Sequence, residues 1–379
     1  MLFRMNGRHL AMKDRILYTK PNVGELEHRW VELMLWHAWG TYSGSYIKGF
    51  EEQFAKYIGT QYAVATSSCT GALHLGLAAL GIKKGHEVIL ADTNWIATAA
   101  PIVYLGAKPV FVDIKEDTWC INPAEVKKAI TKKTKAIIAT HLYGNLCSLA
   151  SLKEIAGEIP IIEDAAEAIG SMYRGKYAGS IGRFGVFSFH GSKTITSGEG
   201  GMFVTNSKDL SDKVRQLNNH GRSVNAKQFS PEILGYKYKM TDMQAALGTA
   251  QLQRVKELVQ SKRFIFENYE YLLKDVPNIK MNPRQQGCVN GFWMPNVVVN
   301  KKHRFNLPAR ELFLEEFAKD NIDARVFFYP LSSLPMFKKA NNPVAYDICT
   351  RSINLPSYYD MTLMDQRRVA IVIKKVMGR

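Results

Sequence analysis

The chain is poor in cysteine, and its cysteines form no pattern. Cys69, Cys120, Cys147, Cys288 and Cys349 are odd in number, far apart and never spaced as CxxC. Neither a disulfide framework nor a zinc site is expected, and a reducing cytoplasm fits. Long apolar runs are missing too. The longest, Ile96 to Ala107, is interrupted by Thr98, Pro101 and Gly106 and stops at Lys108, too short to span a bilayer. At the start, Arg4, Arg8 and His9 break up the apolar residues, which leaves no signal-peptide core. No GxxxxGK[ST] occurs, so a Walker-type nucleotide triphosphatase is excluded.

What is there is an enzyme-sized composition. The 379 residues are 46% hydrophobic and 22% charged, which excludes a small binding module, a disordered chain and a collagen-like or coiled-coil protein. The net charge of +16 predicts attraction to anions. Its basic residues lie in scattered pairs such as Lys83-Lys84, Lys127-Lys128, Lys132-Lys133 and Lys374-Lys375, with Lys301-Lys302-His303-Arg304 the densest run. That scatter favours solvated surface charge over a nucleic-acid groove.

From about residue 60 to 205 short apolar runs alternate with stretches of helical spacing, the pattern of βα units. Strands are expected at Tyr62–Thr66, Glu87–Ala91, Pro109–Ile114, Lys135–Thr140 and Pro160–Glu163, and again at Phe184–Phe189 and Gly201–Thr205. Strands apolar along their length are covered on both faces, so an α/β domain with a mostly parallel sheet is expected. An amphipathic stretch from Met240 to about Lys274 leads to a smaller lobe. There a strand is expected at Met294–Val299, a helix at Pro308–Lys319 with Pro308 in its first turn, a strand at Ala324–Phe328 and a closing helix at Met364–Met377. The expected division is an N-terminal extension over 1–15, a large α/β domain over 16–260 and a small C-terminal domain over 261–379.

Four segments carry candidate chemistry. Phe187-Ser-Phe-His-Gly-Ser-Lys193 leads into Gly198-Glu-Gly-Gly201, which holds one lysine on a turn made sharp by glycine. Such a lysine, desolvated among hydroxyls and aromatic rings, suits Schiff-base chemistry, or else simply decorates a turn. Ile161-Ile-Glu163-Asp164-Ala-Ala-Glu167 delivers carboxylates to the carboxyl edge of a sheet, where ligands of open α/β folds bind. Asp164 there pairs with a protonated ring nitrogen, or it caps a helix. Thr66-Ser-Ser-Cys-Thr-Gly71 offers hydroxyls and free amides to a phosphate at a helix start, or caps that helix with nothing bound. Trp95 follows the next strand, as a stacking face or as core. Successive parallel strands bring all four to one edge, and a phosphate cup, a flat ring face, an acid and a lysine are what pyridoxal phosphate requires.

These residues resemble the DegT/DnrJ/EryC1/StrS family of sugar aminotransferases over about Ile16 to Val376. The resemblance is carried by Gly44-Ser-Tyr-Ile-Lys-Gly-Phe-Glu51, Ser68-Cys-Thr-Gly-Ala-Leu-His74, Asn94-Trp-Ile-Ala97, Glu163-Asp-Ala-Ala-Glu167, Phe187 to Lys193, Gly198 to Gly201 and Gly235-Tyr-Lys-Tyr-Lys-Met-Thr-Asp242. His141-Leu-Tyr-Gly144, Lys193-Thr-Ile-Thr196, Phe328-Tyr-Pro330, Leu334-Pro-Met336 and Ile353-Asn-Leu-Pro-Ser357 bring it nearest to members that aminate GDP-4-keto-6-deoxymannose.

The resemblance implies a fold type I transferase that binds pyridoxal 5'-phosphate, works as a homodimer with shared active sites, and takes an amino group from L-glutamate to a nucleotide-linked keto sugar. It implies that Lys193 holds the coenzyme's aldehyde, Asp164 its ring nitrogen and Glu167 its ring hydroxyl. Cys69, Thr70 and Ser188 would hold the phosphate and Trp95 would stack on the ring. Lys237, where asparagine is often found, would reach a neighbouring subunit's site. His190, Arg325 and Tyr329 fall on the substrate side, with an ion pair to a core carboxylate as the other reading of Arg325. Serine at 332 or 333 replaces a histidine common after Phe-Tyr-Pro, and Cys69 stands where glycine is usual. Other members aminate UDP- or dTDP-linked sugars at C3 or C4, or put histidine at the lysine position and dehydrate instead; this chain keeps Lys193. A silent regulatory relative is the remaining alternative, and the intact Lys193, Asp164 and Trp95 speak against it. No metal, nucleic acid or membrane partner is expected.

Overall fold

The computed structural model describes residues 14–378 except 224, 228, 302, 304, 306 and 307. Residues 1–13 of the expected extension, and Lys302 and Arg304 of the densest basic run, lie outside the described residues. Two helices come first, α1 (Glu25–His37) and α2 (Ser45–Ile58). The βα units follow: β1 (Tyr62–Thr66), α3 (Cys69–Ala79), β2 (Glu87–Ala91), α4 (Ile96–Tyr104), β3 (Lys108–Val112), α5 (Pro123–Ala129), β4 (Thr134–Thr140), α6 (Leu149–Ala156) and β5 (Ile161–Asp164). Next are two short strands, β6 (Met172–Tyr173) and β7 (Lys176–Tyr177), then β8 (Phe184–Ser188), β9 (Gly201–Thr205) and helices α7 (Lys208–Asn218), α8 (Asp242–Gln253) and α9 (Val255–Leu273). The rest comprises β10 (Ile279–Lys280), β11 (Cys288–Val289), β12 (Asn296–Val299), α10 (Ala309–Lys319), β13 (Arg325–Val326), α11 (Pro343–Ile348), β14 (Ser352–Asn354) and α12 (Leu363–Val376).

The main sheet has the order β1-β9-β8-β5-β4-β2-β3. It is parallel from β3 to β8, and β9 runs antiparallel to both β8 and β1. Both faces are covered, as apolar strands require. Val88 and Leu90 pack toward the cluster of α3 and α7, and Ile89 and Ala91 toward that of α5 and α6. Since β9 enters the sheet from the edge at which its neighbours end, the starts of β9 and the ends of β1, β2, β4, β5 and β8 share one rim.

A second sheet, β10-β12-β14-β13, is antiparallel. It packs with α9, α10 and α12 around Phe313, Phe317, Tyr269 and Ile353. Ile16 joins this cluster and bridges to Ile322, so the start of the described chain is tied to its far end. The stretch Met240 to Lys274 is two helices that meet at Arg254, where Arg254 binds Glu27 and Glu257. Two expectations need correcting. Pro308 is the cap residue of α10 with an extended ψ of 135°, not a member of its first turn. The strand expected at Ala324–Phe328 pairs only over Arg325–Val326, because the chain then turns away to line a cavity.

Candidate active site

A cavity of about 730 Å³ opens along the shared rim of the main sheet. Its floor is built from strand ends. At the end of β1, Ser68 caps α3 by accepting the Gly71 amide at 3.0 Å, which leaves the amides of Cys69 and Thr70 as the unpaired first donors of that helix. A Cβ on Gly201 would lie 2.4 Å from the Cys69 nitrogen, so only glycine lets β9 start against the α3 cap. Burial pushes the Cys69 thiol well up, with Asp164 adding to the effect and Lys193 opposing it. Cys69 therefore stays a neutral thiol at this end of the cavity.

At the end of β5 adjacent carboxylates face opposite sides, as the strand period dictates. Glu163 turns away from the cavity and takes the amides of Gly179, Ile181 and Gly182 at 2.8, 2.6 and 2.5 Å and His141 Nε2 at 2.9 Å. Burial alone would raise its carboxyl, and these donors hold it below the usual range. Asp164 faces the cavity. The Thr98 hydroxyl donates to it at 2.6 Å and the Ala166 amide at 3.2 Å. No helix follows it, so the capping alternative for Asp164 falls away.

Glu167 accepts the Tyr143 amide at 2.9 Å and the Lys193 ammonium at 3.4 Å. Burial pushes its carboxyl up while Lys193 pulls it down. Lys193 sits on the turn after β8, its side chain 14% exposed, with Nζ 3.7 Å from the centre of the Trp293 ring. The Trp293 indole donates to the Ser192 carbonyl at 2.8 Å. An amine packed between a carboxylate and an aromatic face is held in one place, ready to react with a group at the cavity centre.

The opposite wall comes from distant segments. Phe328, Tyr329, Leu334 and Met336 line it, with Tyr18 and Asn354. Arg325 also lines the cavity while binding Asp323, a half-buried carboxylate, at 2.6 Å. Tyr329 is stacked by the Arg310 guanidinium at 4.8 Å. Burial pushes the Tyr18 phenol up, and a bond to Asn354 counters it.

Of the residues singled out in the sequence, the cavity brings together Cys69, Thr70, Trp95, Asp164, Glu167, Ser188, His190, Lys193, Arg325 and Tyr329. Trp95 is 59% exposed, hence no core filler. His190 lies at the rim, bound to the Ser192 hydroxyl at 2.8 Å and 3.6 Å from Glu199. Lys237 does not line this cavity. It is exposed on the loop before α8, where partial burial and the charges of Lys239 and Arg222 lower its ammonium pKa. Sequence reasoning missed Thr98, Tyr18, Trp293 and Asn354. Thr98 could have been found, as it lies three residues after Trp95 on the same helix start; the others carry no local signal. Among the described residues no cluster of three or more His, Cys, Asp or Glu could hold a metal, and no helix is long and apolar enough to cross a membrane.

The profile described as the DegT/DnrJ/EryC1/StrS aminotransferase family matches residues 21–374. The chain is 38% identical to a GDP-perosamine synthase of Escherichia coli O157:H7, over 89% of this chain and 92% of that one. To the GDP-perosamine synthase of Caulobacter vibrioides it is 35% identical, over 96% and 98% of the two chains. A Streptococcus pneumoniae sugar aminotransferase in its PLP-form superposes with a TM-score of 0.89 at 28% identity, covering 96% of this chain and 99% of that one.

Proposed function

The chain belongs to the DegT/DnrJ/EryC1/StrS aminotransferase family, and on that premise we propose that it moves the amino group of L-glutamate to GDP-4-keto-6-deoxymannose, giving GDP-perosamine for a surface polysaccharide. It is a sugar aminotransferase that depends on pyridoxal phosphate. The observation that carries the aminotransferase reading is that one cavity holds Lys193, Asp164, Glu167 and the start of α3. The GDP-linked substrate is supported by the GDP-perosamine synthases among the relatives.

The residues present fit the coenzyme. Two unpaired helix amides at Cys69 and Thr70 suit a phosphate, the Ser188 hydroxyl lies on the same rim, and the exposed Trp95 ring suits a flat heterocycle. Bound there, the coenzyme supplies an aldehyde that accepts the amino group and an electron-withdrawing ring. Asp164, oriented by Thr98, would keep that ring's nitrogen protonated. Lys193 would hold the aldehyde end and, once freed by the amino donor, use Nζ to take the proton from the donor's α carbon. Glu167 stays within reach of Nζ at 3.4 Å and steadies it as its charge changes. The same Nζ returns a proton to C4 of the sugar in the second half of the cycle. The positive balance of the chain draws in a nucleotide diphosphate and a dicarboxylate.

We place Lys237 at the active site of a second copy in a homodimer, since it does not reach its own. A coupled glutamate assay across GDP-, UDP- and dTDP-linked keto sugars tests the substrate. Turnover is expected with the GDP-linked 4-keto sugar; preference for a UDP- or dTDP-linked one would replace it.

A further inference from the structure

Asp92, the residue after β2, is fully buried and takes no part in the chemistry above. A buried carboxylate must be matched by donors, and all of those found on Asp92 come from the far end of the chain. Its Oδ1 accepts the Ser332 amide at 2.7 Å, and its Oδ2 accepts the Ser332 hydroxyl at 2.6 Å and the Asn342 side-chain amide at 2.8 Å. The Asp92 carbonyl takes the Leu331 amide at 2.7 Å, and Thr93 bridges to Pro330. The Ser332 hydroxyl also meets the Tyr346 phenol at 3.0 Å.

A second carboxylate repeats the arrangement one strand away. Asp113, the residue after β3, accepts the amides of Val344 and Ala345 at 3.0 and 2.9 Å. The segment from 330 to 345 is thus clamped at two points to the ends of β2 and β3. On the near side of the clamp the chain continues through Asn94 and Trp95 to Thr98, which bonds Asp164. On the far side it carries Tyr329, Leu334 and Met336, the outer wall of the cavity.

We propose that Asp92, through Ser332, is a positioning residue for the sugar substrate: it fixes the outer wall at a set distance from the coenzyme floor. The inference rests on the proposed aminotransferase reading. Leu334 and Met336 line the cavity, and Met336 is 63% exposed at its mouth. On this proposal a nucleotide-linked sugar, being larger than glutamate, is the substrate that reaches that wall. A clamp that sets the wall therefore acts on one half of the cycle, whereas a residue that merely supports the fold acts on both.

The test measures the two half-reactions separately on S332A and D92N, each as full-length coenzyme-loaded enzyme. Conversion by L-glutamate is followed through the coenzyme's visible absorption, and the return reaction through consumption of the keto sugar nucleotide. Loss of one hydrogen bond to a charged group predicts a KM for the keto sugar raised about tenfold in S332A, and more in D92N, with the glutamate half-reaction unchanged. Equal losses in both half-reactions, or no change in the KM of either variant, overturn the proposal. S332A keeps the test open if D92N fails to fold. A wild-type enzyme inert in both half-reactions overturns the aminotransferase reading itself, and the inference with it.

Discussion

The floor and the outer wall of the cavity are built in opposite ways. Each floor residue lies within a few positions of a strand end, so Trp95, Asp164 and Lys193 arrive at one rim because the sheet is parallel there, and Cys69 joins them because β1, across the antiparallel β9, runs the same way as β8. The wall is assembled from Tyr18, the segment 325–336 and Asn354, which meet only through long-range packing and buried polar bonds. The floor is thus fixed by local geometry and serves chemistry common to both substrates. The wall is fixed by a few buried groups, and on the proposed reading it is where one sugar is told from another.

If the floor carries the chemistry, K193A abolishes transamination, with a loss on the order of 10⁴-fold or more in both half-reactions. D164A follows, at about 10²- to 10³-fold; a loss confined to one half-reaction would break the assignment of Asp164 to the shared floor. A buried lysine behind the wall ties the stability of the fold to pH. Lys262 is buried, its ammonium bonding the Ser357 carbonyl at 2.5 Å and hydroxyl at 3.2 Å, and the Ser357 amide holds the Tyr18 carbonyl. Burial lowers its pKa from 10.5 to about 7. The unfolded chain then binds the extra proton between those values, so the unfolding free energy rises with pH across that window and is lost as pH falls toward 7. Denaturant unfolding at several pH values checks this: K262M removes that rise, which amounts to at most roughly 5 kcal/mol summed over the whole window. The smallest effect is that of W95A, which weakens coenzyme binding about threefold to tenfold by removing one stacking face. Fluorescence titration reads it; an unchanged affinity would take Trp95 off the floor.

The same contrast explains what the sequence could disclose. The strands at Tyr62–Thr66, Glu87–Ala91 and Gly201–Thr205 were legible to the residue, because apolar runs bounded by turn residues have few other solutions. Lys193, Asp164 and Trp95 were legible because the strand ends place them. Trp293 was not. It lies against Lys193 from a loop one hundred positions later, and no periodicity predicts such a contact. Asp92 stood in plain view beside Trp95, yet its meaning depends on Ser332 and Asn342. The helices α1 and α2 escaped the strand-helix pattern because they precede the first strand and pack mainly on α8.

The account stands on the amine of residue 193. Borohydride reduction of the coenzyme-loaded enzyme, followed by peptide mapping, tests it most directly. The account predicts one coenzyme per chain fixed to Lys193, with loss of the visible band. A coenzyme found on another lysine, or none fixed at all, would contradict it.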